Sequence, residues 1–173
     1  MLGLFIRTKF NCTSRLKADE SIRAESERTL ELAKALEPSL AGRSITVPKM
    51  IGVDEDMRDW SIFQTLEHNV IVNHSITQLV VTLANEQQVI TNFDPKTDVM
   101  PAAEPDTEQL NAFEASVEQH FSQVSALKRL RSRQKYRHPL FGNFSAHQWH
   151  CMFGFHLMLH RRQLQKAVEL LQA

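Results

Sequence analysis

His156 and His160 stand four residues apart in an apolar run that includes Met152, Phe155, Leu157, Met158 and Leu159. At about 100° per residue they lie roughly 40° apart around a helix and about 6 Å along it. Two imidazoles so placed point the same way and can share one metal ion. The alternative is a pair of core histidines that find hydrogen-bond partners within the protein. Residue 157 is Leu, so the adjacent general base of the His-Glu-x-x-His zinc proteases is missing. The Glu-x-x-His motif of di-iron bundles is also missing, since Glu67 directly precedes His68. Cys151 would lie roughly 140° and 180° around the helix from the two histidines. It reads as a packed small residue.

A third ligand has to come from another helix. His68 is the better candidate, because it lies in the middle of an apolar stretch, WSIFQTLEHNVIVNHSITQLVVTLA. His74 is the alternative, but six residues put it roughly 120° from His68, so both do not easily reach one small site. Three neutral imidazoles leave coordination positions for water or substrate, as in a catalytic metal site. With ordinary histidine pKa values, protons would displace the ion below about pH 6.

Four periodic stretches must position these residues. They predict helices over 14–37, 56–84, 106–134 and 145–171, an all-α four-helix bundle with a long connection between the second and third helices. The first carries a stripe of Ile22, Ser26, Thr29, Ala33 and Leu36, and Pro38 ends it. Asp56 is read as the cap of the second. The third shows Leu110, Phe113, Val117, Phe121 and Val124 on one face. It closes on a basic run, Lys128 to Arg137, which suits the negative end of a helix dipole. Ser145 and Gln148 form a capping box at the start of the last helix. Residues 1–13 read as an irregular or packed arm, 85–105 as an irregular connector broken by Asn92, Asp94, Pro95, Pro101 and Pro105, and 138–144 as a turn.

Composition narrows the function. The chain has 173 residues, enough for one domain spanning 1–173 with a full core. Twenty basic residues balance 20 acidic ones, so no global field draws it to nucleic acid or anionic membranes. No apolar run is long enough to span a bilayer. Arg7 and Lys9 interrupt the opening MLGLFIRTKF, which does not read as a signal peptide. Two cysteines, Cys12 and Cys151, make no disulfide framework, and the expected location is cytoplasmic.

Trp60-Ser61-Ile62-Phe63-Gln64-Thr65-Leu66-Glu67-His68 resembles the second-helix motif of the DinB-like superfamily. His138-Pro139-x-x-Gly142, Trp149 and His156-x-x-x-His160-x-x-Gln163 resemble its fourth helix and the preceding turn. The match covers 60–173 well and the first helix loosely. The resemblance implies a four-helix bundle with one divalent metal held by His68, His156 and His160, and its pattern includes Gln163, which reads either as a hydrogen-bonding support for that pair or as an ordinary packed or half-exposed residue. It does not supply the reaction. Characterised relatives include transferases and isomerases that use low-molecular-weight thiols. The implied function is a metal-dependent thiol transferase, or a related isomerase or hydrolase, acting on a small electrophile. The alternative is a non-catalytic metal-binding or stress-associated module. A homodimer is expected in either case. Three imidazoles accept zinc, nickel or iron. Arg161 and Arg162 are read as solvated.

Overall fold

The computed structural model describes residues 2–91, 94 and 97–173. The chain is mostly helical, with one two-stranded hairpin. The connector positions Asn92 and Pro95 lie outside the described residues.

The N-terminal arm is not irregular. It forms α1 (Leu2–Cys12). Ile6 and Phe10, four apart, bury one side of it, and Phe10 meets Phe144 and Phe155 edge-on. That single i, i+4 pair is a weak periodic signal, and packing on the last helix supplies the rest. Helix α2 (Arg15–Lys34) starts at Ser14, whose side chain accepts from the Lys17 amide. Its buried stripe is Ala18, Ile22, Ser26, Thr29 and Ala33. It stops before Pro38, which instead opens the short α3 (Pro38–Ala41), where a proline needs no amide hydrogen.

Asp56 does not cap the next long helix. It lies inside a 3-10 turn, Glu55–Met57. Helix α4 (Ile62–Ala84) begins at Ser61, which trades hydrogen bonds with Gln64 in a capping box. That reciprocal pair satisfies two helix-end amides, which a lone aspartate five residues upstream cannot do. Helix α5 (Glu108–Ser125) ends well before the predicted 134. Arg15 on α2 takes carbonyls at its end and just past it, donating to Val124 O at 2.6 Å and Leu127 O at 2.9 Å. The basic run therefore follows the helix and does not belong to it. Two short strands, β1 (Tyr136–His138) and β2 (Gly142–Phe144), flank the expected turn, with Tyr136 paired to Phe144. Helix α6 (Ala146–Leu171) starts at the Ser145–Gln148 capping box.

The long helices pack as α2 on α6, α6 on α4, α4 on α5 and α5 on α2, around a core running from Ile6 to Val168. Asn73 meets Ser116 and Thr77 meets His120, so α4 and α5 advance together and run parallel. The connection between them, from 85 to 107, has to cross the length of the helices. No helix among the described residues is long and apolar enough to cross a membrane.

One polar file joins all four long helices. Thr77 Oγ1 lies 2.8 Å from His120 Nδ1, and His120 Nε2 lies 2.9 Å from His150 Nδ1. His150 Nε2 then stands 3.1 Å from Asp19 Oδ1, an ion-pair distance, without a hydrogen bond between them. Burial, reinforced by the charge His150 would carry, lowers the pKa of His120 to about 3. Burial lowers that of His150 to about 4 against the opposing pull of Asp19. Both values lie below that of an unfolded histidine, so the unfolded chain takes up these protons first. This contribution to stability is complete above about pH 6.5 and is lost as the pH falls toward 4. In chelator, His120→Gln is expected to flatten the dependence of unfolding free energy on pH between 6.5 and 4 by about one proton. Urea melts across that range measure it, and a slope equal to wild type would contradict the assignment.

Candidate metal centre

His68 sits on the second turn of α4, and His156 and His160 sit on adjacent turns of α6. The fold brings the three together. One ring nitrogen from each lies within 4.8 Å of the other two, and no fourth His, Cys, Asp or Glu joins them among the described residues. His68 and His160 are buried, and His156 is half-buried. The ring centres of His68 lie 5.2 Å from His156 and 4.6 Å from His160.

Hydrogen bonds assign the protons. His68 Nδ1 lies 2.7 Å from Val99 O, a carbonyl that can only accept, so Nδ1 carries hydrogen and Nε2 a lone pair. Gln163 Nε2 donates to Met57 O at 2.7 Å, which turns Gln163 Oε1 toward His160 Nδ1 at 2.9 Å. His160 Nδ1 is therefore the donor, and its Nε2 is also bare. Acceptors on the far ring nitrogens are the usual support of metal-binding histidines.

The donor set fits a divalent ion. His68 Nε2 and His156 Nε2 are 3.3 Å apart. Two nitrogens at about 2.0–2.1 Å from a tetrahedral ion stand about that far from each other. The buried Nδ1 of His156 has no hydrogen-bond partner in the protein, and its Nε2 is the nitrogen that faces His68. Burial lowers the pKa of all three. It is the largest cause for each, followed for His156 by the charges of His160, His68 and His138, and for His160 by that of His68. His160 reaches about 3. The rings are thus in the neutral form that binds metal. The three histidines are positioned to hold a divalent metal, with no fourth His, Cys, Asp or Glu beside them among the described residues.

Sequence reasoning missed the connector's part. Val99 is buried, and its carbonyl orients His68. The strand of chain beyond it is tied to α4. Gln64 Nε2 donates to Ala102 O and Ala103 O, and Glu67 Oε2 accepts from the Ala102 amide at 2.8 Å. A backbone carbonyl leaves no mark in a sequence, although Glu67 beside His68 was a signal that could have been followed. Trp60 also lies against His68, ring centres 5.0 Å apart.

The remaining histidines lie elsewhere. His74 is exposed, His120 and His150 belong to the polar file, and His138 stacks on Phe141. His147 Nε2 lies against Phe10 O and Thr13 O. Cys151 is buried, and burial raises its thiol pKa to about 12, so it stays protonated. Arg161 is not solvated. It pairs with Glu25 of α2, and both side chains are largely covered. Arg162 is exposed.

A family model described as the DinB superfamily matches residues 21–164, a span that contains all three histidines and Gln163. No curated protein and no solved structure matches.

Metal content separates the two α4 histidines. His74→Ala is expected to retain about one ion per chain and His68→Ala to lose it, as read by elemental analysis after dialysis. Gln163→Leu keeps the ligands but removes the acceptor on His160, and it is expected to weaken metal binding by about 10–100-fold. Equal loss in the His74 and His68 variants would overturn the ligand assignment.

Proposed function

The chain belongs to the DinB superfamily, and on that premise we propose that it is a divalent-metal-dependent enzyme that transfers a low-molecular-weight thiol to a small electrophile. We read the packing of α2, α4, α5 and α6 as a four-helix bundle forming one domain over 1–173. The reading takes the protein as a cytoplasmic homodimer with a small-molecule substrate, and with no nucleic-acid or membrane partner. The observation that carries it is the convergence of three neutral imidazole nitrogens with no fourth His, Cys, Asp or Glu among the described residues. A centre meant only to staple helices is normally closed by a fourth side chain, whereas an open position is the mark of catalytic sites.

A divalent ion held there would lower the pKa of a coordinated thiol or water near neutral pH. His68, His156 and His160 act as ligands and not as acid–base groups, because burial keeps them neutral and two have their other nitrogen occupied. Val99 O and Gln163 keep His68 and His160 in the tautomer that presents Nε2. Trp60 covers the side of His68 and limits access of water to it. Zinc, nickel and iron all suit the donor set.

The direct test is turnover of a chromogenic electrophile with several low-molecular-weight thiols, using protein loaded with zinc or nickel. Wild type is expected to exceed the uncatalysed rate, and His160→Ala to return to it. A fully loaded wild type no faster than His160→Ala would reject the enzyme and leave a metal-binding module.

Thermal melting tests the centre apart from turnover. An ion at a hundredfold excess over its dissociation constant should stabilise wild type by about 2.7 kcal/mol. His160→Ala should show no metal effect while its apo form stays folded. Protons compete only where they bind the folded rings. Because burial lowers these pKa values, with His160 at about 3, the metal effect should persist below the pH 6 expected of ordinary histidines. It should fade as the pH approaches the lowered values. Loss of the shift already at pH 6 would show that the folded rings titrate normally.

A further inference from the structure

The basic run has no role at the metal centre, and its simplest explanation has gone. Because α5 stops at Ser125, Arg131 and Lys135 lie well past the helix end and do not answer its dipole. They line one side of a solvent-open cleft of about 430 Å³, with Arg7 of α1 across from them. None of the three histidines lines it.

Three cations and no carboxylate line this cleft, in a chain with 20 acidic and 20 basic residues. Among the described residues, none of the three cations lies within ion-pair distance of a carboxylate. Arg7 Nε is out of solvent and has no hydrogen-bond partner, a costly state for a cationic donor. Arg131 makes one hydrogen bond, from Nη2 to Asn11 O at 2.9 Å, out of the five N–H groups a guanidinium carries.

The backbone that carries these groups is pinned. The His147 amide donates to Leu130 O at 2.7 Å, and the Ala146 amide donates to Ser132 Oγ at 2.9 Å. Neutral polar groups complete the lining. Asn143 supplies a side-chain amide to the lining, while Ser132 gives its hydroxyl proton to Gln134 O and the Gln148 amide donates to Arg7 O. The start of α6 lies at its floor, although Ser145 and Gln148 already cap it. The helix adds partial positive charge there and is not itself the binding group.

We propose that this cleft is a binding site for the phosphate group of a small molecule, separate from the histidine centre. Guanidinium forks and an ammonium match the several acceptor oxygens of a phosphate, and an anion there would partner Arg7 and neutralise the unpaired cluster. A nucleic acid fits less well. No aromatic side chain lines the cleft to stack a base, and the chain as a whole is neutral.

Calorimetric titration of the full chain tests this. Chelator is present so that no ion at the histidines competes, and ionic strength is held constant with sodium chloride. Inorganic phosphate and glycerol phosphate are the two probes. Both are expected to bind saturably to wild type. Lys135→Gln, whose side chain makes no hydrogen bond or ion pair in the protein, should weaken each about tenfold, and Arg131→Gln by a similar factor. Lys34→Gln, exposed at the end of α2, should bind as wild type does. Binding of phosphate without glycerol phosphate would keep the site but make the free anion its ligand. Heat that never saturates, or equal affinity in wild type and Lys135→Gln, would overturn the proposal. Thermal melts of both variants establish that they remain folded.

Discussion

Three imidazoles are held neutral, with one nitrogen of each turned to one point. The rest of the site exists to maintain that state. A buried ring cannot take a proton without losing hydration, so burial alone secures neutrality. Burial does not choose which nitrogen is bare. That choice belongs to Val99 O for His68 and to Gln163 for His160. One support lies outside the helices and the other is aimed from outside them. Val99 lies on the α4–α5 connector, and Gln163 is itself oriented by Met57 O in the 3-10 turn before α4. Two irregular segments thus set the chemistry of rings that regular helices carry.

The interior holds a second set of histidines, and the contrast explains why only one set is a metal centre. In the file from Thr77 to Asp19 the rings pair nitrogen to nitrogen, His120 Nε2 on His150 Nδ1 at 2.9 Å. Thr77 gives its one hydroxyl proton to Asn73 O, so it accepts from His120 Nδ1, and His120 Nε2 in turn accepts from His150 Nδ1. From Thr77 to His150 each contact is therefore served by one of the file's own protons. In the triad the far nitrogens of His68 and His160 are already donors to the protein, so their near nitrogens face His156 as lone pairs. One proton on His156 can serve one of them at most. A cation answers all three together.

Much of this was legible from residue types and spacing. The i, i+4 histidine pair, the stripe on α2 and the capping box at Ser145 depend on local periodicity, which survives in any packed context. Where local signals competed, tertiary contacts decided. Arg15 takes the carbonyls at the end of α5, a contact more than a hundred residues distant in sequence, and so the basic run is not helical. Helix α1 rests on Phe10 finding Phe144 and Phe155, again beyond any local window. The support from Val99 was hidden because a carbonyl is common to every residue. Only the path of the connector singles this one out.

The aim of the histidine pair is set by a helix that supplies no ligand. On α6, Gly154 meets α2 so closely that an added Cβ would lie 3.2 Å from Ile22 Cγ1 and 3.3 Å from Ser21 Oγ. Seven residues on, Arg161 pairs with Glu25 of the same helix. Seven residues are nearly two full turns, so Gly154 and Arg161 share one seam and fix how α6 is rotated against α2. From Gly154, His156 lies about 200° and His160 about 240° around the axis, on the far side from that seam. Helix α4 packs there and brings His68. A side chain at 154, or a lost charge at 161, would act on the metal centre through this rotation, although neither residue belongs to it.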